Sequence, residues 1–463
     1  MDTNICTRRG FLKTAGLAGV SLTLPGCASN LKGLSLSRKK QPNIIFILID
    51  DLGWADVGYH DSDIMTPNID RLAITGMQLQ QHYVMPSCSP TRTCLMSGRY
   101  SSRFGVLSPT NRRVFDFDQV TLASALRSAG YETSITGKWH LGSLPEWGAR
   151  RFGFDHSYGS FAGGVHPYTH RYKKSDYSHT WHRDDKLIDE KGHVTDLIGN
   201  EAVKRIEASA KSDKPFFLYV PFTAVHIPIE EPDRWTKLYE GRIADEARRN
   251  FAACATHMDD VIGRMLDTLQ RTGQRDNTLI IFASDNGGQQ FWQPKGEYPG
   301  EKPEYVPTLG INRPLRGWKN KLYEGGIRTP AMVNWPGRIK PGRTNAVMHI
   351  VDWMPTLCNL AGYKPDRDLK WDGQNIWPLI NSETETTELR TLYWKTHDES
   401  AIRHGDWKLI INHSSGKKEL FNIAADPYEE NDLFGQHADL EADLMARLEK
   451  HRKDDAKEPL SFF

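Results

Sequence analysis

The sequence has almost no net charge. Across 463 residues, 59 lysines and arginines stand against 58 aspartates and glutamates, a formal balance of +1. So even a balance gives no global field to draw in a polyanion, which leaves no compositional case for nucleic acid as a partner. Any basic residue that matters acts locally, at a site. Cysteine is scarce as well, at six. Cys6 and Cys27 fall in an N-terminal leader, and Cys88, Cys94, Cys254 and Cys358 are too few and too scattered for a disulfide framework. No cysteine–histidine spacing of the kind that holds zinc occurs along the chain. Internal repeats and low-complexity tracts are also missing, which excludes a repeat architecture. What is present is ordinary globular composition, 38% hydrophobic and 25% charged, at a length that accommodates more than one domain. Thirteen tryptophans and sixteen tyrosines suit a carbohydrate-facing cleft and an ordinary aromatic core equally.

The first residues read as an address rather than as fold. Arg8-Arg9, then Phe11-Leu12-Lys13, then a mildly apolar run from Ala15 to Leu24, form a twin-arginine export signal. The run is too short and too rich in glycine to span a membrane. It ends in Leu24-Pro25-Gly26-Cys27, similar to a lipoprotein cleavage box with Cys27 as the lipidated first mature residue. Pro25 is unusual there, and ordinary cleavage nearby is the alternative. Residues 28–41 are polar and basic and form a tether. The expected organisation is a signal over 1–27, a linker over 28–41, a catalytic domain over 42–385 and a smaller domain over 386–463. The expected location is the periplasm or cell surface, with membrane contact only through the lipid anchor.

Three apolar runs set the fold class. Asn43 to Ile49 is apolar at almost every position, as is a strand buried on both faces of a parallel sheet. Pro215 to Val220 and Thr278 to Ala283 share that texture. Helical patterns intervene, at Thr121 to Ala129 and Asn250 to Thr272, each stopped by a glycine. Alternating strands and helices predict an α/β fold with a large, mostly parallel sheet flanked by helices. After about residue 385, short alternating runs predict an antiparallel sheet, followed by a helix over Asp439 to Asp454.

In parallel sheets, chemistry collects at the carboxyl ends of strands. All three runs carry polar residues there: Asp50-Asp51, His226 and Asp285-Asn286. One acidic pair alone is more often a cap or a turn former. Two pairs at two strand ends supply the four oxygen ligands that a hard divalent cation needs, with Ca²⁺ the best fit and Mg²⁺ second. Isolated basic residues sit in glycine-bounded contexts: Lys138 and His140 in TGKWHLG, and Arg316, Lys319 and Arg328 in LRGWKNKLYEGGIRTP. Each alone reads as a surface charge. Convergence on one anion explains all of them, and spacing does not show convergence.

The stretch CSPTRTCLMSGR, from Cys88 to Arg99, resembles the signature of the type I sulfatases of the alkaline phosphatase superfamily, Cys-x-Pro-x-Arg followed by Gly-Arg. PNIIFILIDDLGWADVGYH, TPNIDRLA, GKWHLG, GFDHSYG, SDNGG, LRGWKNKLYEGGIRTP and HIVDWMPTL occur in that family's order, over about residues 42–380. The overall character resembles arylsulfatase B-like enzymes, the N-acetylgalactosamine 4-sulfatases. The resemblance implies that Cys88 is oxidised to formylglycine by a maturation enzyme. It also implies that Asp50, Asp51, Asp285 and Asn286, with the modified Cys88, hold one Ca²⁺. Arg92 would orient the formylglycine hydrate, and Lys138, His140, His226 and Lys319 would surround the sulfate. His226, with Lys319, is then the acid for the leaving oxygen, Asp285 the base for attack and His140 the base for release. Thr91 stands where serine is commoner, a mild departure. The implied activity is hydrolysis of a sulfate ester on a sulfated sugar, exo-acting on a polysaccharide or glycosaminoglycan. Loop residues His166, Tyr168 and His170, and the stretch 291–305, are candidates to line the sugar pocket. A phosphatase or phosphodiesterase of the same superfamily is the nearest alternative, and a non-catalytic sulfoglycan-binding surface protein the more distant one. Cys94 lies outside the signature and reads as a small buried residue.

Overall fold

The computed structural model describes residues 41–290, 310–381 and 389–460. The expected signal, residues 28–40 of the tether, Cys27 and the loop 291–305 lie outside the described residues. Strands run as β1 (Asn43–Ile49), β2 (Met77–Tyr83), β3 (Glu132–Lys138), β4 (His156–Ser160), β5 (Trp181–Arg183), β6 (Lys186–Leu187), β7 (Phe216–Pro221), β8 (Thr278–Ser284), β9 (Ala331–Asn334) and β10 (Gly342–His349). They form one ten-stranded sheet in the order β10-β2-β9-β8-β1-β7-β3-β4-β5-β6. The centre is parallel, with β1 between β7 and β8, and β3 between β7 and β4. The second sheet is antiparallel: β11 (Thr391–Lys395), β12 (Glu399–His404), β13 (Trp407–Asn412) and β14 (Lys418–Asn422). The helices are α1 (Pro67–Ile74), α2 (Cys88–Ser97), α3 (Leu122–Ser128), α4 (Val194–Ser209), α5 (Asp233–Thr236), α6 (Glu246–Arg271), α7 (Glu324–Ile327), α8 (Trp353–Ala361), α9 (Trp377–Ile380) and α10 (Ala438–Arg452).

β1 shows why its sequence is apolar throughout. Ile44, Phe46 and Leu48 face one core, which they share with α2, α3, α8 and the antiparallel sheet. Ile45, Ile47 and Ile49 face the other, against α1, α4 and α6. Side chains alternate across a strand, so a strand covered on both faces has no polar position to spare. α3 begins as its sequence predicts, with Thr121 and Ser124 closing a reciprocal capping box. α6 begins one turn earlier than its apolar pattern, because the Asp245 side chain accepts from Arg248 N and caps it.

The antiparallel sheet lies on the first core, where Leu392, Trp394, Ile402 and Leu409 join the same apolar cluster as Phe46. Its docking is also electrostatic. Lys408 Nζ on β13 lies 2.9 Å from Glu324 Oε1 of α7 and 2.9 Å from Glu429 Oε1, all three buried. Tyr83 on β2 donates to the other Glu324 oxygen at 2.6 Å, and Arg403 on β12 donates to Tyr83. Burial pushes the Glu429 carboxyl up, while Lys408 and its neighbouring arginines overcome burial at Glu324 and hold it down. Replacing Lys408 with methionine removes the cation that faces both buried carboxylates. The K408M variant is expected to lose about 3–5 kcal/mol in urea unfolding at neutral pH. A carboxyl raised by folding weakens the fold as pH climbs through its folded value, so acidification protonates Glu429 and narrows the deficit.

Candidate active site

The register of the sheet builds the acidic half of the site. β1 and β8 run parallel with Ile49 opposite Ser284, so Asp50 and Asp285 leave the sheet side by side, followed by Asp51 and Asn286. Backbone bonds hold the turn: Asp285 N donates to Ile49 O at 2.8 Å, and Asp50 N to Ala224 O at 3.0 Å. Asn286 Nδ2 donates to Asp51 Oδ1 at 2.7 Å.

Three cations meet these carboxylates, each from a different element. Arg92 lies one helical turn beyond Cys88 on α2 and is fully buried. Its Nε and Nη2 donate to Asp285 Oδ2 at 3.2 and 2.9 Å, and its Nη1 to the Lys138 carbonyl at 2.7 Å. Lys138 ends β3 and donates to Asp50 Oδ2. Gly137 before it has φ +134, and a Cβ there would lie 1.9 Å from the Pro221 carbonyl, so only glycine lets β3 approach β7 closely enough. Lys319 Nζ lies 2.7 Å from Asp51 Oδ1.

Cys88 opens α2, as the encoded thiol, with His140 Nδ1 3.4 Å from its Sγ. His226 Nε2 lies 3.8 Å from Asp51 Oδ2, and its Nδ1 is 2.5 Å from the Ile227 carbonyl, which fixes the ring. Burial is the largest influence on both histidines and lowers them, with Lys138 adding at His140 and Lys319 at His226, which falls to about 4. Burial works to raise both aspartates of the Asp50/Asp285 pair. At Asp50 the cations, Lys138 foremost, overcome it and hold the carboxyl low, whereas at Asp285 burial and the Asp50 charge prevail and hold it high. Burial raises the Cys88 thiol.

The site fits a hard divalent cation. Asp50 Oδ1 and Asn286 Oδ1 are buried and have no hydrogen-bond partner among the described residues. Orphaned buried oxygens are costly unless an unseen ligand satisfies them. Oxygen and imidazole donors of Asp50, Asp51 and His226 also lie within 4.8 Å of one another.

Above these residues opens a cavity of about 420 Å³. Cys88, His140, His226 and Lys319 line it. Ten sequence candidates thus converge: Asp50, Asp51, Cys88, Arg92, Lys138, His140, His226, Asp285, Asn286 and Lys319. His166 and His170 do not join them. Both are buried and absent from the cavity lining, His166 with Nε2 3.4 Å from Glu230 and His170 bonded to the Gly192 carbonyl and stacked on Trp181. These two histidines support the loop rather than face the cavity. Tyr168 is half-exposed beside His193, away from the cavity. The mouth instead carries Lys173 and, from the β11–β12 turn, Thr396, His397 and Asp398. Some 300 residues separate that turn from Cys88, and nothing local in its sequence marks it. Cys94 is fully buried, as expected.

Comparison with known proteins places this geometry. A family model described as Sulfatase matches residues 42–363, and one described as N-sulphoglucosamine sulphohydrolase, C-terminal, matches residues 316–454. The chain is 33% identical to arylsulfatase J of Mus musculus, over 89% of this chain and 76% of that protein. It is 31% identical to N-acetylgalactosamine-6-sulfatase of Rattus norvegicus, over 81% of this chain and 72% of that one. Among solved structures, that of Ps i-CgsB in complex with k-i-k-neocarrahexaose superposes with a TM-score of 0.82 at 30% identity, covering 91% of this chain and 95% of that one. A signature cysteine set among buried carboxylates and lysines is thus matched along most of the chain, which belongs to the sulfatase family and is a sulfuric ester hydrolase.

Proposed function

We propose that this sulfatase removes a sulfate ester from a sugar of a sulfated polysaccharide or glycosaminoglycan, acting from a chain end, with a formylglycine made from Cys88 and one Ca²⁺. The observation that carries the reading is the cavity whose base presents Cys88, Lys319 and His226 and whose mouth is lined by Lys173, His397 and Asp398. Its volume suits a sugar ring, and its mouth mixes donors and acceptors for hydroxyl groups. Relatives named for N-acetylgalactosamine-6-sulfate and a structure holding a neocarrahexaose support the same substrate class. The reading includes a maturation enzyme that acts on Cys88, and export to the periplasm or cell surface on a lipid anchor at Cys27.

Asp50, Asp51, Asp285 and Asn286 would hold the cation, which when bound supplies positive charge for the sulfuryl oxygens. The formylglycine hydrate supplies the oxygen nucleophile. The remaining work belongs to the chain's own groups. Lys138 and Lys319 neutralise the anionic ester as it enters, in a site where burial strengthens their fields. Arg92 is locked by Asp285 and the Lys138 carbonyl, so it orients the residue-88 side chain one turn away. Asp285, bonded to Arg92 one turn from residue 88, takes the proton of the attacking hydroxyl. His140, beside Cys88, is placed to take the second proton that releases sulfate. His226 is neutral in the free site, and a sulfate monoester bound beside Lys319 brings the negative charge that favours its protonation. It then gives its proton to the departing sugar oxygen.

Mass spectrometry of the Cys88 peptide, with chromatographic analysis of defined sulfated oligosaccharides, tests the reading. A thiol-to-aldehyde mass change together with sulfate release from a sugar is expected. Cleavage of aryl sulfates alone overturns the carbohydrate assignment. H226N is expected to lose about 10²–10⁴-fold in kcat on a sugar sulfate and far less on nitrophenyl sulfate, whose leaving group needs no proton. Equal losses remove His226 from the acid role. Chelation is expected to abolish turnover and lower the melting temperature, and Ca²⁺ to restore both better than Mg²⁺.

A further inference from the structure

A second group of metal-type donors lies behind the cavity wall. His193 caps α4, Glu231 ends the loop that carries His226, and His257 sits in the middle of α6. Their donor atoms all lie within 4.8 Å of one another. His193 is 5% exposed and His257 fully buried, and the Glu231 side chain is 1% exposed. We propose that His193, Glu231 and His257 form a separate site for a divalent transition ion of the zinc class, which fastens the His226 loop to α4 and α6.

The spacing supports it. Zinc bonds of about 2.1 Å set tetrahedral ligand atoms about 3.4 Å apart. His193 Nε2 lies 3.5 Å from Glu231 Oε1, close to that edge length. His257 Nδ1 lies 2.7 Å from Glu231 Oε2, a hydrogen bond that opens by less than an ångström as the ion takes its place. On the far side of that ring, His257 Nε2 faces Asp196 Oδ1 at 3.3 Å, the carboxylate behind a ligating histidine that orients the ring and raises its basicity. Trp235 stacks on the same ring at 5.0 Å between centroids and holds its plane. A small cavity borders His193, Glu231 and Cys254, and Cys254 stands one helical turn before His257.

The donor set favours a zinc-class ion over calcium, because two imidazoles and one carboxylate are borderline ligands. The arrangement has a cost. His193 Nδ1 accepts from Thr195 N at 3.3 Å and its Nε2 donates to the Glu230 carbonyl at 3.1 Å, and coordination through Nε2 moves the ring proton to Nδ1 and gives up both contacts. The same small cavity is lined by His226, so the fastened loop is the one that positions the proposed acid. No stretch of sequence encloses these ligands. They come from positions 193, 231 and 257 and meet only in the fold.

The test uses the full-length enzyme in excess Ca²⁺, titrated with Co²⁺ and followed by visible absorption. One equivalent is expected to give the d–d bands of low-coordinate cobalt, to be displaced by Zn²⁺, and to persist in D50N. H193N keeps a helix-capping side chain and E231Q keeps shape. Each is expected to weaken cobalt binding at least about tenfold and to abolish the rise in melting temperature that Zn²⁺ gives the wild type. Absence of a one-equivalent cobalt spectrum in the wild type overturns the proposal. So does a spectrum that survives both H193N and E231Q, or one that D50N removes.

Discussion

Three buried carboxylates face three buried cations, and the rest of the structure is arranged around that balance. Asp50, Asp51 and Asp285 stand at the ends of β1 and β8, and Arg92, Lys138 and Lys319 come to them from α2, β3 and the segment before α7. Removing one ion from water costs several kcal/mol, so no carboxylate is stable there until its partner's element has docked. The site is therefore complete only in the assembled sheet. The balance also explains selectivity for an anion. The protein groups alone sum to zero, three against three, so any divalent cation held by the orphaned oxygens of Asp50 and Asn286 leaves the site net positive.

The same burial sets the charge of the proposed proton carriers. His140 and His226 are both lowered, since a buried imidazolium beside lysines is unfavourable, while Asp285 is raised beside ionised Asp50. Two neighbouring carboxylates in one dry site cannot both ionise cheaply, and their environments push them apart. An anionic ester beside His226 opposes the Lys319 charge that holds it low, so in the proposed mechanism the substrate itself favours protonation of the acid.

Much of this was legible in the sequence, for identifiable reasons. Apolar runs with no alternation require cover on both faces, and β1, β7 and β8 have it. Glycine- and proline-bounded motifs carry the ten converging residues because strand-end chemistry needs tight local turns, as Gly137 shows. His166 and His170 lie off the cavity lining, and a histidine in a loop looks the same in sequence whether it meets a ligand or a carbonyl, so only burial and partners separate the cases. Thr396, His397 and Asp398 were invisible because their place at the mouth depends on how the second sheet docks, which no local pattern encodes. The His193, Glu231 and His257 group is hidden in the same way, with its members on three separate elements.

Docking of the second sheet is therefore a matter of function as well as stability. Lys319 and Glu324 are five residues apart in one segment. Asp51 anchors that segment on one side through Lys319, and Lys408 anchors it on the other through Glu324. Asn320 N donates to the Pro86 carbonyl and Gly325 N, just past Glu324, to the Arg316 carbonyl, which leaves the segment little freedom to tilt. β13 carries Lys408, and its neighbour β12 opens at the turn that places Asp398 at the mouth. One buried lysine thus fixes the base of the cavity and its rim relative to each other. A chain that shifted the sheet by one residue would turn every inward side chain outward and lose both.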